Sequence, residues 1–225
     1  FTEYDGTRFQ KMLYTWNMEM GVEYDAEYGY DAVDGQGKYT DVADTTVYYY
    51  GKHQYLVSST SLYGRVEEAA EGGDKVISFT RYDVSRFQRM QYTWNMKEGV
   101  SYISAGNYGA ETVADSTIYW YGKSQYLASS TNVYDQVTGD TVSENDKVIS
   151  FTRYDGSRFQ RMQYTWNMAQ GTTYDEAGEY DDVDETGKYT DVADSTVYDY
   201  GTGQYLKTST SLYGRVIQPE ERDDN

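Results

Sequence analysis

The chain has 225 residues, 37 Asp and Glu against 19 Lys and Arg, and so a formal net charge of −18; it contains one histidine and no cysteine. Disulfide staples and Cys-ligated zinc are therefore excluded, and so acidic a chain lacks the basic footprint needed to wrap bare nucleic acid. No apolar run approaches the roughly 20 residues of a membrane-spanning helix, while 28 tyrosines in a chain that is 17% aromatic argue against general disorder.

The chain opens on FTEYDGTRFQKMLYTWNM, Phe1 to Met18. Met12, Tyr14, Trp16 and Met18 occupy alternate positions there, which is the period of a half-buried strand. An acidic, glycine-containing stretch follows, then Gln54-Tyr55-Leu56 leads into a Ser/Thr-rich segment that reaches Gly64. Asp74-Lys75-Val76-Ile77-Ser78 comes next, and the opening motif returns almost unchanged from Phe79 to Met96. The second copy is shorter between Tyr102 and Val113, and a segment that tolerates deletion reads as a surface loop. After Gln125-Tyr126-Leu127 and a second DKVIS at 146–150, the motif returns again from Phe151 to Met168.

In this third copy Val148–Tyr154 is β-branched and aromatic, Met162–Met168 alternates, and the segments 196–200 and 205–213 also read as strands. Asp155-Gly156, Gly201 with Gly203, and Gly214 supply the turns. No segment carries a sustained helical stripe. The expectation is an all-β chain of three tandem repeats, 1–78, 79–150 and 151–225. Each repeat contributes four or five mostly antiparallel strands to an extended, solenoid-like or shell-like array. Leu, Ile and Phe are scarce, so tyrosine must supply much of the packing.

The first repeat has no DKVIS before Phe1, and none follows Asn225. The expectation is a window from a longer array, or a subunit that completes its terminal strand with a neighbour; no distinct capping repeat is recognisable. An acidic make-up rich in Tyr, Thr, Ser and Gly suggests an extracellular or cell-surface protein, although no signal-peptide pattern is visible.

Several motifs carry a family resemblance. Tyr4-Asp5-Gly6-Thr7-Arg8-Phe9, Tyr82-Asp83-Val84-Ser85-Arg86-Phe87 and Tyr154-Asp155-Gly156-Ser157-Arg158-Phe159 alternate with Leu62-Tyr63-Gly64-Arg65-Val66 and Leu212-Tyr213-Gly214-Arg215-Val216. This order resembles the YD-repeat (Rhs) family. The resemblance implies an extended extracellular β-structure. Tyr134-Asp135-Gln136-Val137 replaces the Gly-Arg-Val step in the middle repeat, and the self-cleaving signature of the family is not recognisable.

Three kinds of site are worth weighing. Asp31, Asp34 and Asp41, and again Asp181, Asp184 and Asp191, place carboxylates at short intervals around glycines, as a calcium loop requires. The competing reading is a solvated acidic hairpin tip. Trp16, Trp94 and Trp166 recur once per repeat beside Tyr14, Tyr92 and Tyr164, and Trp120 stands apart between Tyr119 and Tyr121. Exposed, these rings would stack on a cell-surface glycan, but a Trp alternating with Met and Tyr more often packs inside. Catalysis finds no support, because nothing places a nucleophile beside His53 and no motif assembles the required roles.

Arg8, Arg86 and Arg158, with Lys11, Arg89, Arg161, Arg81 and Arg153, form the one ordered cationic feature. They suit either cross-strand pairing within the sheet or contact with the acidic stretch of an adjoining unit or chain. The resulting expectation is a non-enzymatic structural repeat protein of a fibre, sheath or adhesin stalk, with self-association or further repeats as its partners. A multivalent carbohydrate-binding module and a calcium-dependent adhesin are the alternatives.

Overall fold

The computed structural model describes residues 1–23, 30, 32, 40–104, 106–122, 125–137, 142–175, 178–186, 190–201 and 205–217. The chain is all-β. Its strands are β1 (Thr2–Tyr4), β2 (Met12–Met18), β3 (Val42–Tyr50), β4 (Leu56–Tyr63), β5 (Val76–Tyr82), β6 (Met90–Met96), β7 (Val113–Tyr121), β8 (Leu127–Tyr134), β9 (Val148–Tyr154), β10 (Met162–Met168), β11 (Val192–Asp199) and β12 (Thr208–Tyr213). Among the described residues the only helical element is a 3-10 turn at Ala110–Thr112. None of their helices is long and apolar enough to cross a membrane.

The chain divides into two compact units, Phe1–Ala114 and Asp115–Asn225. The division falls inside the second sequence repeat, so the packing unit and the repeat do not coincide. In the first unit β1 to β6 are neighbours in chain order, and in the second so are β7 to β12. The pairings within each are antiparallel.

Among the described residues each repeat contributes four strands, and the alternation read from the sequence sets their two faces. One face of the first unit carries Val47, Thr60, Phe79 and Trp94 in register. The corresponding row of the second unit is Ile118, Thr131, Phe151 and Trp166. The opposite face is hydroxyl-rich. There Thr2 pairs with Thr15 at 3.1 Å, Thr80 with Thr93 at 2.9 Å, Thr152 with Thr165 at 3.0 Å and Thr196 with Ser211 at 3.2 Å. Such cross-strand pairs help fix register.

Two kinds of loop cover the apolar face. The excursion from the second to the third strand of each repeat brings in Tyr30, Tyr108 and Tyr180, all buried. Tyr108 lies 5.9 Å from Phe79 and Tyr180 lies 5.7 Å from Phe151, ring centre to ring centre. The connection leaving the fourth strand brings in Val66 and Val137. Trp16 is 3% exposed, Trp94 4% and Trp166 1%, and each stacks on the tyrosine two residues before it in sequence. The aromatic pattern is therefore the core.

Hydroxyl relays tie these connections down. The Thr45 hydroxyl donates to the carbonyl of Gly64 at 2.7 Å and accepts from the N–H of Val66 at 2.9 Å. Ser116 does the same between Asp135 and Val137, and Ser195 between Gly214 and Val216. All three are fully buried. A polar side chain is tolerated there because both of its hydrogen-bonding roles are filled.

Candidate functional site

The YDxxxRF motif builds a hairpin tip. The Asp155 carboxylate accepts from the N–H and hydroxyl of Ser157, the N–H of Arg161 and, at 2.7 Å, the Nε of Arg161. Asp83 repeats this with Ser85 and Arg89, and Asp5 with Thr7 and the N–H of Lys11. Burial works to raise the pKa of Asp155 and Asp83, but these donors outweigh it and both lie below the usual carboxylate value. Arg89 and Arg161 thus pair within their own hairpins. Arg8, Arg86 and Arg158 stack over Phe9, Phe87 and Phe159, each ring exposed at the tip. The Gly-Arg-Val step has a different job: Arg65 and Arg215 lie over the buried rings of Trp16 and Trp166.

Asp31 and Asp34 lie outside the described residues. The other acidic positions serve as acceptors for nearby backbone. Asp41 accepts from the N–H of Ala32, Asp191 from the N–H of Asp182, and Asp184 from the N–H and hydroxyl of Thr186. Asp181 lies beside Asp182 on the same loop, and its charge helps raise the pKa of Asp191. Among the described residues no group of three acidic or imidazole side chains is placed to hold a metal ion.

Trp16, Trp94 and Trp166, being buried, offer no ring face for a sugar. Trp120 differs, because it is only half-buried and lines a groove. Its cross-strand partner is Ser129, whose partner on the next strand is Arg153. Thr131, Phe151, Tyr174 and Asp175 complete the walls of a cavity of about 220 Å³.

The first unit holds the same construction. Tyr49 faces Ser58, which faces Arg81, and with Thr60, Tyr102 and Ser104 they line a cavity of about 450 Å³. Tyr49 is 64% exposed. Each groove forms where the fourth strand of one repeat meets the first strand of the next, with a tyrosine from the excursion as its far wall. The side chains of Arg81 and Arg153 make no ion pair or hydrogen bond among the described residues. Ser58, Thr60, Ser129 and Thr131 likewise have no side-chain hydrogen bond there, although Thr131 is only 1% exposed. The element shared by the two is an aromatic ring on the third strand, a five-donor guanidinium on the next repeat's first strand and, between them, two hydroxyls with no side-chain partner.

Sequence reasoning singled out Trp120 but missed Tyr49, and it read Arg81 and Arg153 only as part of a cationic series. The available signal was registration: an aromatic on the third strand, a Ser-x-Thr on the fourth and an Arg on the next. The third repeat has Asp199 where the first two have Tyr49 and Trp120.

No family model matches the chain, and no curated protein does. Among solved structures it is similar to a porin-like protein from Bacteroides uniformis, with 14% identity over 75% of this chain and 88% of that one, at a TM-score of 0.21.

Proposed function

We propose that the chain is a structural tandem-repeat β-protein of an extracellular fibre, sheath or adhesin stalk, which extends by adding strands at its sheet edges. One observation carries this reading: the joint between repeats is made twice in the same register. Ser58, Ser59, Thr60, Ser61 and Leu62 of β4 face Arg81, Thr80, Phe79, Ser78 and Val76 of β5. Ser129, Ser130, Thr131, Asn132 and Val133 of β8 face Arg153, Thr152, Phe151, Ser150 and Val148 of β9 in the same order. A joint so reproducible is a standard connector.

Among the described residues the equivalent strand β12 pairs with β11 alone. Ser59 and Thr60 of β4 and Ser129, Ser130 and Thr131 of β8 are buried, whereas their counterparts from Thr208 to Ser211 of β12 are exposed. An open edge of this kind accepts another strand. A first strand from another copy, or from further repeats, supplies the same hydrogen bonds, and a head-to-tail contact that does not close yields a filament. The exposed location follows from the acidic, hydroxyl-rich composition and from the resemblance to YD-repeat proteins.

The test is sedimentation velocity with negative-stain microscopy, on the native chain and on Ser209→Pro. Tyr63 donates its N–H across the joint to Lys75. By the two-residue period of a strand, Ser209 directs its N–H to the open side of β12. Proline there removes a docking donor while leaving the pairing with β11 intact. Concentration-dependent assemblies that Ser209→Pro dissolves, with the melting temperature retained, are expected. A native chain that stays single at every concentration sinks the reading.

A further inference from the structure

The two grooves at the repeat joints are unexplained by a purely structural role. A structural joint needs hydroxyls that satisfy one another, as they do on the opposite face, where Thr80 meets Thr93 and Thr152 meets Thr165. In the grooves the pattern is reversed. Thr60 and Ser129 are each 7% exposed and Thr131 1%, yet none has a side-chain hydrogen bond among the described residues. None of these hydroxyl oxygens is among the fully enclosed side-chain atoms that lack a partner; each stays open to the groove, and a surface that keeps several such hydroxyls beside a guanidinium without an ion pair can receive acceptors.

We infer that each groove binds one residue of a neutral oligosaccharide, with the ring of Tyr49 or Trp120 against a sugar face and Arg81 or Arg153 donating to its hydroxyl oxygens. A saccharide presents what the groove lacks: a ring of oxygen acceptors around an apolar face. The aromatic supplies an apolar body with a rigid plane. The guanidinium supplies paired donors in a fixed fork, and Ser58 with Thr60, or Ser129 with Thr131, completes the polar wall.

Charge decides between neutral and acidic glycans. Arg81 and Arg153 alone would suit a carboxylate, but the chain carries a net charge of −18, and a field of that sign repels a polyanion. Asp175 also lines the second groove, where its Oδ2 accepts from the N–H of Glu179 and Tyr180, so an acidic side chain already stands in that wall. Within the chain the two elements occur together. Tyr49 precedes Arg81 and Trp120 precedes Arg153, whereas the third repeat has Asp199, and the first strand of the first repeat has Glu3 at the arginine position. Valency therefore scales with the number of joints that carry both.

This inference stands whether or not the edges assemble, and the Ser209→Pro chain is the background on which to test it. Isothermal titration and tryptophan fluorescence are run against cello-, laminari-, manno- and xylo-oligosaccharides, with oligogalacturonate as the charged comparison. At least one neutral series is expected to bind at two sites per chain, with an affinity insensitive to salt and quenching of Trp120. Arg153→Ala and Arg81→Ala should each reduce the stoichiometry from two to one, weakening the altered site by at least tenfold. The double variant should lose binding while keeping its melting temperature to within a few degrees. Absence of binding to every neutral series overturns the inference. So does binding that survives the double variant, or binding restricted to oligogalacturonate.

Discussion

The indole N–H of Trp166 donates to the main-chain carbonyl of Val216 at 3.0 Å, across 50 residues of chain. Trp16 makes the same bond to Val66, also at 3.0 Å and 50 residues on. Each bond pins the connection that leaves the fourth strand onto the core of its own repeat, and the hydroxyl of Ser195 or Thr45 holds the same connection from beneath. Trp166→Phe keeps an aromatic ring but leaves the Val216 carbonyl without its indole donor. The expected loss is about 1–3 kcal/mol, read as a lower urea midpoint at an unchanged slope. A midpoint equal to that of the native chain would show that the tryptophan acts through its ring alone.

Gly106 and Gly6 share a left-handed backbone, with φ of 66° and 65°, but not a neighbourhood. A Cβ on Gly106 would stand 2.6 Å from the Phe79 ring, whereas one on Gly6 would meet nothing within 4 Å. Gly6→Ala should therefore cost only the backbone preference, about 1–2 kcal/mol. Gly106→Ala adds displacement of a buried ring and should cost clearly more. Thermal denaturation of the two variants side by side gives the comparison. Equal losses would mean that the excursion does not press on Phe79.

The Asp155–Arg161 and Asp83–Arg89 pairs predict an acid limit to stability. Both carboxyls are held below their usual value, because the arginine Nε, the serine and the backbone donors outweigh the opposing effect of burial. A carboxyl with a depressed folded pKa adds stability that is present above the unfolded pKa, near 4. That stability is lost as pH falls through the lower, folded value. The melting temperature should thus decline below pH 4, and the double variant Asp83→Asn, Asp155→Asn should decline less steeply while starting lower at pH 7. Identical pH profiles would remove these pairs from the account.

Much of this architecture is legible in the sequence, for a physical reason. The alternation in Met162–Met168 fixes which side of a strand is buried, and the observed β10 has those bounds and buries Trp166. Val148–Tyr154 is likewise a strand over its whole expected length. The strand expected at 196–200 begins earlier, at Val192, because the buried Ser195 looks polar until its relay to Gly214 and Val216 is known. Tyr30, Tyr108 and Tyr180 were not recognisable as core, since they sit in polar excursions whose burial depends on docking over the sheet. The grooves were hidden for a similar reason: Tyr49 and Arg81 are far apart in the chain and meet only through the register of three strands.

Asp191 works in the opposite sense to Asp155. Burial raises its pKa first, an N–H from Asp182 opposes that, and repulsion from the Asp182, Asp181 and Asp175 carboxylates raises it further. A carboxyl whose folded pKa is raised holds its proton more tightly in the native state. Its contribution is therefore fully present below the unfolded pKa, near 4, and is lost as pH climbs through the folded value. At neutral pH the ionised group is a liability. Asp191→Asn removes that charge and keeps an oxygen to accept the Asp182 N–H, now 3.1 Å away. The variant should melt on the order of a few degrees above the native chain at pH 7 and level with it at pH 3, by differential scanning calorimetry. A variant less stable at pH 7 would mean that the ionised carboxylate is needed there, and a calcium titration of the native chain would then be the measurement to make.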